Sequence, residues 1–361
     1  MKPLAALMLG LLLAAGRPVC AQGSEGEGGV TLSGSVKSLL LRSETPLERE
    51  GFTLGLNRLR LQAQGPLAPW LALDLQLDEE LLVGSYLRTA QFQHEKDQPP
   101  PQYWHADANT FERHGAYGRQ RLHRASLTFS IGEADLRLGR QRIAWGTGRF
   151  WSPLDILNPV SPVAIEREER LGVDAALLEA RFGPLSRLSI VYAPRREPGL
   201  GSRALQWHAN AAAIDYSMTA GRLAGADVAG LDLAGQLGQA GMRAEIARLR
   251  PEGGRAQWRA MLGADYAFAN TLTLSAELYD GGEGARRAGL FIGYDITPLL
   301  KWANYLVANL GDRSRGADIR LVWSVRPDVD LTLGLQRFDG RAGSEYGQLR
   351  SATFAQAQWF F

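Results

Sequence analysis

The chain has 361 residues, of which 45% are hydrophobic and 22% are charged, and its formal net charge is +2. A balance this close to neutral excludes a protein that binds nucleic acid through overall basicity, so we expect no nucleic-acid partner. The single cysteine, Cys20, lies so near the N-terminus that a cleaved leader would remove it, which would exclude disulfides and cysteine metal sites from the mature chain.

The N-terminal segment has the pattern of a secretion signal. Lys2 precedes an apolar run over residues 4–15, and Val19-Cys20-Ala21 fits a small-residue cleavage site. The run is too short to cross a membrane as a helix. Lipidation of Cys20 is the alternative, but the residues before it lack the small side chain that such a site normally needs. We expect residues 1–21 to be a cleaved signal peptide and residues 22–361 to form one domain.

The rest of the chain alternates apolar and polar residues. In residues 71–78 four leucines occupy one face, and residues 257–268, 319–325 and 329–336 repeat the pattern. Alternation of this length predicts β-strands. A soluble β-sandwich would alternate as well. The secretion signal, the aromatic residues near the ends of the apolar faces and the turn lengths favour a transmembrane barrel instead.

The turns set the number of strands. Short turns are expected at residues 65–69, 132–133, 183–184, 239–241, 269–270 and 326–328, and long loops at residues 81–118, 146–172, 194–202 and 339–348. With the short turns in the periplasm, upward and downward strands alternate consistently along the chain if residues 203–211 and 215–223 form two strands. The sequence therefore predicts an all-β, antiparallel up-and-down transmembrane β-barrel of about 18 strands, or about 16 if that pair is one strand plus an outer loop.

Charged residues concentrate on the faces opposite the apolar ones. Charged groups are tolerated in a water-filled channel and are costly against lipid, so we expect them to line a hydrated lumen. For any single residue, the alternative is an arginine–carboxylate pair that stiffens the wall. The expected lumen charges are Arg58, Arg60, Asp74, Arg124, Arg137, Glu179, Arg181, Asp232, Arg243, Glu245, Arg259, Asp265, Glu277 and Arg320.

The loop over residues 146–172 is dense in aromatic residues, prolines and charges. Folding it into the lumen would bury its Phe and Trp side chains, so we expect it to narrow the channel; an ordered outer cap is the alternative. The expected constriction residues, all on this loop or the strand before it, are Arg140, Arg142, Trp145, Arg149, Phe150, Trp151, Asp155, Asn158, Glu166 and Arg167. Strict alternation would turn Arg140 outward, so its place in this set requires a β-bulge near Gly139.

The same region carries a family resemblance. Gly139-Arg140-Gln141, Trp145-Gly146, then Pro153, Asp155, Asn158-Pro159 and Pro162 resemble a motif of Gram-negative outer-membrane barrels related to alginate-export-type porins. The resemblance covers about a third of the chain and implies a porin-like barrel. It specifies the cargo poorly, because members of such groups differ in what they carry.

Enzymatic and metal-binding functions have little support. The five histidines occur in no nucleophile or carboxylate motif, and there is no glycine-flanked serine elbow. His94, His105 and His114 share one loop with acidic residues, but their spacing matches no common metal motif. We expect no enzyme activity, no cofactor and no bound metal.

The last residues, Leu349 to Phe361, form a strand-length segment that ends on an aromatic residue. In a transmembrane barrel such a strand closes the cylinder, and its end lies in the interfacial aromatic girdle. We expect Trp359 and Phe361 to act as the signal that the barrel assembly machinery recognises.

These patterns predict a protein of the bacterial outer membrane, in contact with membrane lipid and lipopolysaccharide. The predicted function is a channel for passive diffusion or export of small hydrophilic solutes or a polar polymer. The alternatives are a plugged barrel that serves an export or envelope system through a partner and, less favoured, a barrel hydrolase. The sequence does not specify the oligomeric state.

Overall fold

The protein is described here by a computed structural model that covers residues 29–46, 48–98, 102–159, 161–167 and 170–361. The expected signal peptide, residues 1–21, lies outside the described residues. Within them the chain forms nineteen β-strands, one short 3₁₀-helix (Ser85–Arg88) and one α-helix, α1 (Ala90–Glu95). No helix in this part of the chain is long and apolar enough to span a membrane.

The strands follow one another in chain order. They are β1 (Thr31–Glu44), β2 (Gly51–Ala68), β3 (Leu71–Val83), β4 (Ala108–Arg113), β5 (Ala116–Ile131), β6 (Ala134–Gln141), β7 (Val173–Arg181), β8 (Ser186–Ala193), β9 (Ser202–Ala211), β10 (Ile214–Leu223), β11 (Ala226–Leu237), β12 (Ala240–Pro251), β13 (Gln257–Ala267), β14 (Thr273–Asp280), β15 (Arg286–Thr297), β16 (Leu300–Asn309), β17 (Ser314–Arg326), β18 (Val329–Asp339) and β19 (Ala352–Phe360).

Eighteen of these strands form one closed antiparallel barrel. Each wall strand pairs with the next, and β1 pairs with both β2 and β19, so the sheet has no free edge. The wall omits β4, because β3 pairs directly with β5 and β4 only adds a short ladder to β5 at the loop end. The predicted count of eighteen is confirmed, and sixteen is wrong because β9 and β10 are separate, mutually paired strands.

As predicted, the strands are joined by short turns at one end of the barrel and by several long loops at the other. At one end the strands are joined by tight turns, such as residues 132–133 between β5 and β6. The opposite end carries the long connections 84–115, 142–172, 194–201 and 340–351. Some connections at this loop end are also short, such as residues 224–225, so the asymmetry comes from a few long loops.

An apolar belt covers the outside of the barrel. Alternate residues of the wall strands are exposed and apolar, as at Leu262 (55% exposed), Leu278 (57%) and Leu333 (60%). Trp258, near the loop end, and Trp323, near the turn end, are also exposed. A continuous apolar surface of this kind requires a lipid environment, and closure of the sheet satisfies the backbone within that environment. The chain is therefore built as an outer-membrane β-barrel.

The interior is not uniformly polar. The inward faces of β7 to β12 carry apolar residues at the loop end, including Val173, Leu177 and Val191, and these pack against Ile143 and Leu154 of the 142–172 connection. A second cluster joins inward residues of β1, β2 and β19 to the 84–115 connection. The long loops thus have a hydrophobic core inside the mouth of the barrel, which gives a physical reason for their inward packing.

Candidate functional site

The connection between β6 and β7, residues 142–172, is called here the β6–β7 loop, and two wall carboxylates hold its tip. Glu277 of β14 alternates with the lipid-facing Leu278, so its side chain points inward. Its carboxylate accepts backbone N–H groups from Arg149 (2.8 Å), Phe150 (3.2 Å) and Trp151 (2.8 Å). Charge-assisted hydrogen bonds of this type are stronger than neutral ones, so a single carboxylate fixes three consecutive residues of the loop.

Glu245 of β12 does the same for the preceding residues. It accepts the backbone N–H groups of Thr147 (2.5 Å) and Gly148 (2.6 Å), and its other oxygen accepts the hydroxyl of Ser152 (2.7 Å). Both glutamates are almost fully buried, at 3% and 2% exposed. Because β12 and β14 are far around the barrel from β6 and β7, the tip of the loop spans from one side of the interior to the other.

The second half of the loop is held by ion pairs to other strands. Glu166 contacts Lys37 of β1 (3.1 Å) and Arg58 of β2 (2.8 Å). Arg167 contacts Asp318 of β17 (3.2 Å) and stacks over the Tyr305 ring at 3.4 Å from its centroid. These pairs are largely shielded from water, so each charge depends on its partner and the loop is fixed in register against the wall.

Phe150 anchors the tip by packing rather than by charge. It belongs to a buried cluster with Val307 and Tyr346, and its ring lies 6.2 Å from that of Tyr305. The wall makes room for it at Gly289, where an added Cβ would lie 2.7 Å from the Phe150 ring. A glycine in the middle of β15 is therefore required by the close approach of the loop.

Other predicted constriction residues shape the loop itself. Trp145 is buried in the apolar cluster against β7 to β12. Asn158 accepts the backbone N–H of Ile143 (2.8 Å) and donates to the carbonyl of Leu171 (2.5 Å), which ties the two ends of the loop together. Arg142 is exposed at the start of the loop.

Among the described residues of the loop, Asp155 is a titratable group in a strongly perturbed environment. It pairs with Arg170 at 2.8 Å, and its Oδ1 is buried with no hydrogen-bond partner among the described residues. Burial raises the pKa of Asp155 to about 7, although the Arg170 guanidinium opposes this shift. Asp155 is therefore a group whose charge changes near neutral pH.

Arg140 contacts a different set of residues from the rest of the predicted constriction. It is 1% exposed and pairs with Asp174 on the neighbouring strand at 2.8 Å. Its other partners are the carbonyls of Leu122 (2.9 Å) and Trp104 (2.5 Å). Its described contacts therefore lie with β5, β7 and the 84–115 loop rather than with residues 146–168.

The bulge expected near Gly139 is absent there. Gly139 has a φ of +120°, but β6 pairs with both neighbours through this position without a shift in register. The shift lies in the adjacent strand β5, where Gln76 of β3 faces Arg124 and the next residue of β3 faces Leu122. The sequence predicted the bulge in β6, whereas it lies in the neighbouring strand β5. A single sequence does not show which of two paired strands carries the extra residue.

Most of the predicted lumen charges are paired with neighbours. Arg58 binds Glu80, and Arg60 binds Asp78 at 2.6 Å. Arg243 binds Asp265 at 2.5 Å, and Arg320 binds Asp318 at 2.7 Å. The remaining contacts are Asp74 with Gln64, Arg124 with the Arg170 carbonyl, Arg137 with Thr128, Glu179 with Ser189, Arg181 with Asp135, Asp232 with Ser217 and Arg259 with Tyr279. Pairs that stiffen the wall are thus common among these residues. Such a pair is the alternative that the sequence analysis gave to a charge lining a hydrated lumen.

Several contributing residues escaped the sequence analysis. Glu80 is 1% exposed and binds both Arg58 and Arg119. Lys37 holds Glu166 but lies beside the run of leucines in β1, where alternation is hard to read. Glu80 lies an even number of positions from Asp74 and Asp78, so the three side chains share one face of β3. This spacing could have identified Glu80 as an inward-facing residue. Within the described residues, no group of three metal-ligating side chains converges.

Comparisons with known proteins bear on the fold. No family model matches the chain, and no curated protein sequence matches it. Among solved structures, OccAB4 of Acinetobacter baumannii is similar with a TM-score of 0.60 at 10% identity, over 92% of this chain and 98% of that one. The fold is that of an outer-membrane porin. Similarity to alginate-export-type porins stays a prediction.

Two further similar structures were solved with small molecules. OpdK of Pseudomonas aeruginosa with vanillate has a TM-score of 0.58 at 11% identity, over 92% of this chain and 98% of that one. OccK2 (OpdF) of the same organism, in complex with glucuronate, has a TM-score of 0.56 at 11% identity with the same coverage. At this identity the likeness establishes the architecture of the barrel and leaves its interior chemistry to be argued from this chain.

Proposed function

We propose that this protein is a passive outer-membrane channel for small hydrophilic solutes, and that the β6–β7 loop narrows its lumen. The observation that carries the proposal is the attachment of the loop tip to Glu245 and Glu277 on the far wall. A chain segment held across the interior reduces the open cross-section and leaves a narrow path beside it. Solutes would then be selected by size and by the charged groups along that path.

The chemistry along the path suits polar and anionic solutes. Arg149, at the loop tip, has a half-exposed side chain and pairs only loosely with Asp265, at 3.4 Å. Arg243 pairs with the same aspartate at 2.5 Å. Guanidinium groups bind carboxylates in a bidentate manner. Vanillate and glucuronate, found with two porins of similar fold, are both small carboxylates.

A polar polymer is the rival cargo that the alginate-export resemblance implies. A loop fixed by two carboxylates and several ion pairs favours small solutes, because a polymer would need the loop to leave its place during transport. Liposome-swelling assays with sugars and sugar acids of increasing size separate the two cargoes. Entry of small solutes with a sharp size cut-off supports the proposal, and passage of long oligosaccharides contradicts it.

Removal of the loop tests the constriction. Replacing Phe150 to Glu168 by a short Gly-Ser linker should raise single-channel conductance in a planar bilayer by about two-fold or more, since a wider path carries more ions. The matched control replaces residues 194–201, an outer connection that is mostly exposed, by the same linker and should leave conductance unchanged. Unchanged conductance in a correctly folded loop-deleted barrel would contradict the constriction.

A plugged barrel that serves a partner is the second candidate. It is favoured by the same dense set of contacts, which fix the loop on strands around much of the wall. Conductance distinguishes the two functions, because a barrel plugged by this loop would be silent as the full chain. A measurable conductance of the full chain supports the channel.

A further inference from the structure

The outer surface of the barrel carries a shallow groove of about 750 Å³ on strands β15 to β18, close to the loop end. Its floor is made of small residues, Ala288, Ala308 and Ala317, and Leu290 and Leu306 flank it. Larger apolar residues cover much of the belt elsewhere, so the groove is a local furrow in the lipid-facing wall.

The strand register fixes which side chains face this groove. Ala308 pairs with Arg315, Ala317 pairs with Arg337, and Arg315 pairs with Asp339. Residues directly opposite in an antiparallel sheet share a face, so the two arginines point outward with the alanines. The residues between them face inward, as Val307 shows by its burial against Phe150.

Two arginines stand at the upper rim of the groove. Arg315 pairs with Asp339 at 2.9 Å, but both side chains are about three-quarters exposed. Arg337 is exposed, and its side chain makes no ion pair or hydrogen bond within the described part of the chain. Diagonal neighbours on one sheet face lie about 7–8 Å apart, so their long side chains can reach a single anion together.

We propose that this groove binds the phosphorylated glycolipid of the outer leaflet, the lipid portion of lipopolysaccharide. Arg337 and Arg315 hold a phosphate, and an acyl chain lies over Ala288, Ala308 and Ala317. The order of the two features along the barrel wall, with cations at the rim and an apolar furrow below, follows the order of the phosphate and the acyl chains in such a lipid. Guanidinium forks match phosphate geometry.

The loop end of the barrel determines which leaflet the lipid occupies. Long loops lie on the outer side of outer-membrane barrels, so the groove opens to the outer leaflet. The inference rests on this orientation and not on solute transport, so loss of lipid binding would leave conductance unchanged.

The test measures binding to the purified full chain in mild detergent by native mass spectrometry, with lipopolysaccharide lacking O-antigen as the probe. We expect saturable binding that weakens about ten-fold in Arg337→Gln, and also in Ala308→Phe, which fills the furrow. The control is Arg250→Gln, an exposed arginine on β12 at the same end, which should bind as the unaltered chain does.

Retained heat-modifiable gel mobility shows that each variant is folded. Binding that is equal in Arg337→Gln, Ala308→Phe and the unaltered chain would overturn the proposal. So would equal loss in the Arg250→Gln control, which would indicate unspecific attraction. The dephosphorylated probe should bind more weakly; phosphatidylglycerol binding as tightly as the glycolipid would overturn the assignment to the outer leaflet.

Discussion

Glu277 is the residue on which the position of the loop tip depends most directly. Its carboxylate accepts three consecutive backbone N–H groups and is almost fully buried. Neither the loop nor the strand could satisfy those donors alone, because the tip has no regular secondary structure. A single wall side chain therefore substitutes for the hydrogen bonds of a ladder.

Glu277→Gln should loosen the loop tip while keeping the barrel intact. Glutamine keeps one acceptor oxygen and loses the charge, so local opening of residues 147–152 should become easier by about 1–3 kcal/mol. Hydrogen exchange of that peptide measures the change. The control Glu133→Gln, on an exposed turn, should leave exchange there unaltered. Equal protection in Glu277→Gln and the unaltered chain would mean that packing of Phe150 holds the tip unaided.

Asp155 should make the packing of the loop depend on pH. Its pKa in the folded loop is about 7, above the ordinary 3.8, so the folded form binds a proton more tightly than the open form. Stability of the loop is thus greatest below the ordinary pKa and declines as pH rises through about 7. Hydrogen exchange of residues 152–158, corrected for its intrinsic pH dependence, should show more protection at about pH 5.5 than at about pH 8.5.

Asp155→Asn should remove this dependence, since an amide does not titrate in this range. Its pairing with Arg170 would be weakened, so protection should become flat with pH rather than uniformly high. A pH dependence that persists in Asp155→Asn would assign it to another group.

At the scale of elements, β19 completes the barrel and Phe361 ends it. The backbone of Phe361 exchanges two hydrogen bonds with Gly34, at 2.8 and 3.0 Å, and its ring lies 5.1 Å from that of Trp359. The Trp359 indole donates to Asp328 in the turn between β17 and β18 at 2.9 Å. The last residues thus close the sheet at its turn end, as their sequence position predicts.

Deletion of Phe361 should lower the amount of assembled barrel without altering secretion. It removes two closing hydrogen bonds, each worth about 1 kcal/mol, and an interfacial aromatic ring. Trp359→Ala should act in the same direction. Phe182→Ala, an exposed aromatic at another turn, serves as the control. Outer-membrane fractionation and immunoblotting measure assembly, and normal levels in both terminal variants would show that the terminus is incidental.

At the scale of the whole molecule, closure makes the barrel a single cooperative unit. The wall strands are hydrogen-bonded on both sides, so detergent cannot open the sheet from an edge. We expect the protein to fractionate with the outer membrane, to give a β-rich circular dichroism spectrum and to migrate faster on a gel before boiling than after. A mass that corresponds to a start at Gln22 would confirm the signal peptide; a helical spectrum or a soluble periplasmic fraction would contradict the barrel.

The sequence by itself determined the wall of this protein. Alternation with a period of two is a local property, so each strand can be identified from neighbouring residues, and parity then led to eighteen strands. The belt leucines, the tight turns and the closing strand follow for the same reason. The strand count depended on whether residues 203–211 and 215–223 form one strand or two. They were correctly predicted to be two strands, β9 and β10, because consistent alternation of strand direction requires both.

Only the tertiary structure decided what happens inside the wall. The contact of Phe150 with Glu277 joins residues 127 positions apart, and no local pattern indicates which wall carboxylate receives which part of the loop. The same holds for Arg140, whose neighbours come from three segments, and for the apolar inner faces of β7 to β12, which look like lipid-facing residues in sequence. Alternation tells that a strand has two faces, but burial by a distant loop decides what each face contacts.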